Sequence, residues 1–314
     1  MKKPILLAVP NVSEGRDEAT ISAIAEAFSG GVRLLDVHSD RDHHRSVFTL
    51  LGEQGALGDA LLRGARATIE RVDVVGRAPS EVGGHPHVGA VDVMPIVYLE
   101  AATRGAACAE ALVVGDRIGS ELGVPVFVYG ELAGIDDGQR TRSELRRGGV
   151  EGLAGRLAGD GRPAPDWSSG GRSSPLAPVR PDFGPTRLHP TAGATLLAAR
   201  PPLVAFNLRL KQGSTLEDAR AIAALIREGG DEGLPGVRAI GLALTGGVAQ
   251  VSMNVERPEE VPLAVVTEAV RRHAEVQSAE LVGLAPAAAL EGFPDDVPIP
   301  GFDPARHTIE NAIG

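Results

Sequence analysis

Five of the eight histidines fall in two clusters, and both clusters sit beside charged or glycine-rich sequence. The first is Asp36-Val37-His38-Ser39-Asp40-Arg41-Asp42-His43-His44-Arg45-Ser46. The second is Gly83-Gly84-His85-Pro86-His87-Val88-Gly89-Ala90-Val91-Asp92-Val93. In an extended backbone His85 and His87, two residues apart, share one face. Gly83, Gly84 and Gly89 let the backbone approach a ligand closely, and Pro86 keeps the segment out of a helix. Three chemistries compete for these imidazoles. They can simply satisfy nearby backbone groups in a turn. They can ligate a metal, with Asp40, Asp42, His43 or Asp92 completing the set. They can act as general acid and base, since imidazole titrates near neutral pH. The first cluster reads either as a solvated loop of mixed charge or as a site in which Arg45 clamps a carboxylate through two parallel N–H donors.

These residues need elements to position them. Ile5 to Val9 is an apolar run that predicts a strand, and Asn11 to Gly15 turns the chain. Ile21, Ile24, Ala25 and Phe28 have amphipathic-helix spacing, closed by Gly30-Gly31. Residues 32–37 and 46–51 read as strands, Leu57 to Ile69 as a helix, and 91–98 as a strand. A long Ala-rich helix over 102–122 and a short strand over 124–128 follow. From about Gly155 to Pro181 apolar periodicity disappears and Gly, Pro, Ser and Arg dominate, which marks a linker. The second half repeats the first: a strand at 203–210, a helix whose capping box is Ser214 and Glu217, and strands at 237–244 and 248–255 joined across Thr245-Gly246-Gly247. A helix opened by Pro262 and a strand at 279–284 complete it, before a Pro-rich tail beyond Pro286. Strand-helix-strand-strand-helix-strand is the split βαβ order. The expected fold is therefore α/β (α+β), with two ferredoxin-like lobes, residues 1–180 and 181–314, and a substrate cleft between their sheets.

Composition narrows the class. The 314 residues include 43% hydrophobic and 23% charged residues, enough for a packed core. Aromatics are only 3%, so Ala, Val, Leu and Ile must fill that core. A formal charge of -10 argues against a nucleic-acid partner, though a local basic pocket could still take a small anion. No apolar run approaches a membrane span, and the N-terminal apolar run is too short for a leader. Cys108 is the single cysteine, which leaves no internal disulfide and no cysteine-based zinc site. A cytoplasmic protein is expected. No GxSxG elbow, Walker A loop or GxGxxG motif is present.

A set of ordered blocks resembles the formiminotransferase family. They include Val9-Pro10-Asn11-Val12-Ser13-Glu14-Gly15, His44 to Thr49, His85 to Val93, Pro181 to Pro185, Gly193-Ala194-Thr195, Ala205-Phe206-Asn207, Ala249 to Asn254 and Glu280 to Leu284. The resemblance implies transfer of a formimino group from N-formimino-glutamate to N5 of tetrahydrofolate, with folate as co-substrate and no metal. It implies two α/β lobes holding the folate between their sheets, and it admits a homodimer. The family's catalytic base corresponds to His85. Gly84 stands where the family has glutamate, and His87 where it has arginine. By the same resemblance Arg45, His44 and His87 belong to substrate binding. The amidine is cationic, so Asp40 or Asp92 would hold it unless either is only a strand-end cap, and Phe206, Asn207, Gln250 and Asn254 are expected to contact folate. Two other classes remain open: a metal-dependent amidohydrolase of a formimino compound, and a folate-binding protein without transferase activity.

Overall fold

The computed structural model describes residues 3–77, 86–133, 140–159, 163–165, 173–175 and 177–314. The chain forms two compact units, Met1–Pro201 and Pro202–Gly314.

The first unit is built on a seven-stranded sheet. Its strands are β1 (Ile5–Ala8), β2 (Asn11–Val12), β3 (Arg33–Asp40), β4 (Arg45–Glu53), β5 (Val91–Val97), β6 (Val126–Val128) and, later in the chain, β9 (Thr195–Arg200). The order runs β3, β4, then β1 and β2 end to end, then β5, β9 and β6. β5 and β6 both pair parallel to β9, and the other pairings are antiparallel. Helices α1 (Glu18–Ser29), α2 (Ala56–Ile69) and α3 (Arg104–Leu122) share one core with the sheet. Asp17 caps α1 by accepting from the Ala19 N–H, and Ile21, Ile24 and Phe28 then face inward. Phe28 meets Phe48 of β4 with ring centroids 5.2 Å apart.

Two further helices, α4 (Arg142–Arg146) and α5 (Gly149–Ala158), were not foreseen from the sequence. Leu145 and Leu153 from these helices pack with Val93, Phe127, Leu196 and Ala198 in a second core. Along β9, Leu197 and Ala199 join the first core while Leu196 and Ala198 join the second. The period-two alternation of a strand therefore places β9 between two apolar layers. The expected linker also contains structure: α5 runs through Ala158, and β7 (Pro163–Pro165) pairs with β8 (Ser173–Pro175).

The second unit has β10 (Val204–Leu210), α6 (Leu216–Ile226), β11 (Val237–Ala243), β12 (Ala249–Val255), α7 (Leu263–Arg271) and β13 (Val276–Val282). Its sheet order is β11, β12, β10, β13. The hairpin across residues 245–247 forms where its glycines predict it. The capping box lies one residue later than expected, as Thr215 and Asp218. Small helices α8 (Pro304–His307) and α9 (Ile309–Ile313) close the tail. The tail is tied down by Ala279 N–H donating to Pro298 O and by Phe293, set edge-on to Phe206 at 5.8 Å. Among the described residues no helix is long and apolar enough to cross a membrane.

The division expected after residue 180 moves to Pro201, because β9 belongs to the first unit's sheet and supplies both of its cores. Leu196 and Leu197 are each 0% exposed, and burying such a side chain stabilises by about 1.5–3 kcal/mol. A fragment of residues 1–180 should therefore fail to unfold cooperatively in urea. A fragment of residues 1–201 should give a single sigmoidal transition by circular dichroism.

Candidate active site

Sequence-distant residues meet around the turn between β3 and β4 and the start of β5. Asp40 ends β3 and Arg45 begins β4, paired across the ladder. Asp40 Oδ1 accepts from the His43 N–H at 2.8 Å and so builds the turn. His43 Nε2 lies 3.7 Å from Asp40 Oδ2. His44 has φ 49°, and among the described residues no other non-glycine has a positive φ. Backbone in that region is costly and persists where surrounding contacts enforce it. Gly15 is the main enforcer. A Cβ there would stand 2.2 Å from Asp40 O and 2.3 Å from Arg45 N, so only glycine fits. Its N–H donates to His44 Nδ1 at 3.1 Å, and Ser46 Oγ donates to Glu14 O at 2.6 Å.

That bond fixes the chemistry of His44. Nδ1 accepts, so the neutral ring carries its proton on Nε2. Burial, then the positive charge of Arg77, push its pKa down from 6.5 to about 4, against the pull of Glu14. Glu14 Oε1 lies 3.3 Å from Nδ1. Near neutral pH this contact is not an ion pair, because the imidazole is uncharged. Glu14 instead accepts from the N–H groups of Arg16 and Asp17.

Arg45 donates through Nη2 to Asn11 Oδ1, which sets its guanidinium plane. Burial, then Arg146 nearby, lower its pKa to about 9, with Asp92 opposing, and it stays charged at neutral pH. Asp92, on β5, is 2% exposed. Its Oδ1 accepts from the Val88 N–H at 2.9 Å and from Arg146 Nε at 3.4 Å, and its Oδ2 accepts from Arg146 Nη2. Burial raises its pKa, but the charges of Arg146, Arg45 and His87 outweigh that and hold it below the ordinary value. Asp92 is thus an ionised partner of Arg146, and the proposal that it grips an amidine gives way to this pairing. Asp40 is the remaining carboxylate of the two. His87 is half-buried and near enough that a proton on it lowers the pKa of both Asp92 and His44.

Arg146, 5% exposed, was missed in the sequence. It ends α4, whose capping box joins Thr141 and Glu144. That Thr-x-x-Glu spacing was the available signal. His85 lies outside the described residues, as do Gly83 and Gly84.

In the second unit, β10 alternates faces. Phe206 is 0% exposed in the helix-side core, a packing role rather than a ligand-facing one. Asn207 pairs with Ser252, Ala205 with Asn254 and Arg209 with Gln250, so Asn207, Gln250 and Asn254 share the opposite face. Asn207 Nδ2 donates to Glu280 Oε2 at 2.8 Å. Among the described residues no group of three or more His, Cys, Asp or Glu side chains is placed to hold a metal.

Family models match most of the chain. Residues 5–200 match the formiminotransferase domain, N-terminal subdomain, and residues 205–292 match the formiminotransferase domain. The chain is 34% identical to a glutamate formimidoyltransferase of Streptococcus pyogenes serotype M1, over 98% of each chain. It is 33% identical to one from Thermoplasma acidophilum, over 90% of this chain and 88% of the relative. It is 36% identical to the formimidoyltransferase-cyclodeaminase of Sus scrofa over 90% of this chain, which spans 50% of that relative.

Two outcomes test this geometry. Arg146→Met alone leaves Asp92 buried and unmatched and should cost about 3–5 kcal/mol in urea denaturation, most of it recovered by pairing it with Asp92→Leu. The second concerns acid. A histidine whose folded pKa lies below its unfolded value adds stability above the unfolded pKa and loses it as pH falls toward the folded one. The loss for His44 falls between about pH 6.5 and 4. Between pH 7 and pH 5 the parent should therefore lose on the order of 2 kcal/mol more than His44→Asn, in which the left-handed backbone is kept and the titration removed.

Proposed function

The chain belongs to the formiminotransferase family, and from that membership we infer that it transfers a formimino group from N-formimino-L-glutamate to N5 of tetrahydrofolate. The observation that carries this reading is the family match over residues 5–200 and 205–292, which together take in nearly the whole chain. The strand-helix-strand-strand-helix-strand order in each unit supports reading both as ferredoxin-like, split βαβ lobes.

The folate N5 amine attacks the amidine carbon and gives a tetrahedral intermediate. N5 must lose a proton, and the departing glutamate nitrogen must gain one. His85 does both in sequence, as base and then as acid. His44 is unsuited to that task, because its Nδ1 is held by Gly15 and its pKa of about 4 keeps it a poor base. It is a neutral Nε2–H donor to the substrate. Arg45, oriented by Asn11, takes a carboxylate of the donor, and Asp40 takes the cationic amidine. His87 adds a further polar contact to the donor. Holding two substrates in register supplies much of the rate by proximity. No step in this scheme calls for a metal or a redox group.

His85→Ala should reduce turnover by about two to four orders of magnitude with tetrahydrofolate binding kept, and the near-neutral limb of the pH–rate profile should vanish. Formimino-folate formation is followed with formimino-glutamate, formimino-glycine and a formyl analogue in turn. Near-parental turnover in the variant removes His85 from the mechanism, and no transfer from any donor removes the reading itself.

A further inference from the structure

We propose that Ser13 and the buried Asp92–Arg146 pair are positioning residues for the transfer reaction, clasping both flanks of the segment that carries His85 and His87. The proposal rests on the formimino-transfer reading above.

All three residues are nearly inaccessible: Ser13 is 4% exposed, Asp92 2% and Arg146 5%. Ser13 uses each of its polar groups on the flanks of that segment. Its O accepts from Arg77 Nη2 at 2.8 Å, on the incoming side. Its Oγ donates to Gly89 O at 2.7 Å and its N–H to Ala90 O at 2.9 Å, on the outgoing side. Ser13, the residue that follows β2, thus joins positions 77, 89 and 90. The Asp92–Arg146 pair adds a second hold closer to the chemistry. Asp92 Oδ1 accepts the Val88 N–H, one residue beyond His87 and three beyond His85. Arg146 reaches from α4 and fixes that carboxylate through two nitrogens. The backbone is further confined by Ala194 N–H donating to Val88 O at 3.0 Å. A Cβ on Gly89 would lie 1.7 Å from Ala194 O.

A fold can join a loop to a sheet more cheaply than with a buried ion pair, whose desolvation offsets most of its attraction. A buried pair that accepts the amide next to the acid–base segment has a reason in placement. Proton transfer in the transition state demands heavy-atom separations within a few tenths of an ångström, and a displacement near 1 Å can cost about a hundredfold in rate.

The test compares the parent, Ser13→Ala and the double variant Asp92→Leu/Arg146→Met, whose apolar replacements leave no unmatched charge. For each, thermal unfolding, kcat, both KM values and amide hydrogen exchange at Val88 are measured. The proposal expects folded variants with kcat down about tenfold for Ser13→Ala and about a hundredfold for the double variant. The KM for tetrahydrofolate should stay within about threefold, and Val88 exchange should be faster in the double variant than in the parent. A merely structural role would lower the melting temperature and leave kcat per folded molecule unchanged, which overturns the proposal. If the double variant does not fold, Ser13→Ala decides on the same kcat criterion. Val88 exchanging in the parent as fast as an unstructured amide overturns the proposal whatever the variants do. Absence of transfer by the parent overturns the functional reading, whereas transfer with undiminished kcat in the folded variants overturns the clasp alone.

Discussion

A carboxylate set into a sheet of valines and leucines has to be matched, and the match for Asp92 is Arg146. The ladder around Asp92 is Val91, Val93, Met94 and Ile96, each at most 2% exposed. Left alone, the carboxyl would take up a proton rather than stay charged there. With Arg146 against it and Arg45 close by, it remains ionised. That one pair ties α4 to β5, brings Leu145 down onto the second core, and gives the Val88 N–H its acceptor. It also sets the electrical character of the neighbourhood. Guanidinium groups outnumber the carboxylate they surround, and Arg45 is held below its ordinary pKa by burial and Arg146.

The same field and the same burial take His44 out of proton chemistry near neutral pH. His44 sits in a strained left-handed turn, pinned by an N–H from Gly15 and surrounded by Arg77, Arg16 and His87. Both influences disfavour its charged form. It is therefore a fixed neutral donor, and its geometry follows from a glycine whose missing side chain lets two backbone segments touch.

The family's two halves share a strand order but not a burden. In the first unit the basic sheet-and-helix order is widened by β9 and β6 and roofed on its second side by α4 and α5. This added layer brings Arg146 to Asp92. The second unit keeps four strands, and the face away from its helices carries Asn207, Ser252, Gln250 and Asn254 beside Glu280.

Much of this was determined by the sequence alone. Period-3.6 spacing marked α1, α2, α6 and α7, because each buries one stripe. Thr245-Gly246-Gly247 marked its hairpin, because the turn requires positive φ at Gly246 and Gly247. The blocks around Asn11 to Gly15, His44-Arg45 and His85 to Asp92 pointed to the family, and the family to the reaction. Tertiary structure decided the rest. No element was expected at β9, and its insertion between β5 and β6 moves the boundary from residue 180 to Pro201. Phe206 belongs to a motif block, but strand alternation turns it into the core and its neighbour Asn207 away from it. Asp92 looked like a ligand for a cation until Arg146, 54 residues further along the chain, proved to be that cation. Composition and spacing report what a residue can do. Which partner it meets depends on contacts distant in sequence, and those are set by packing.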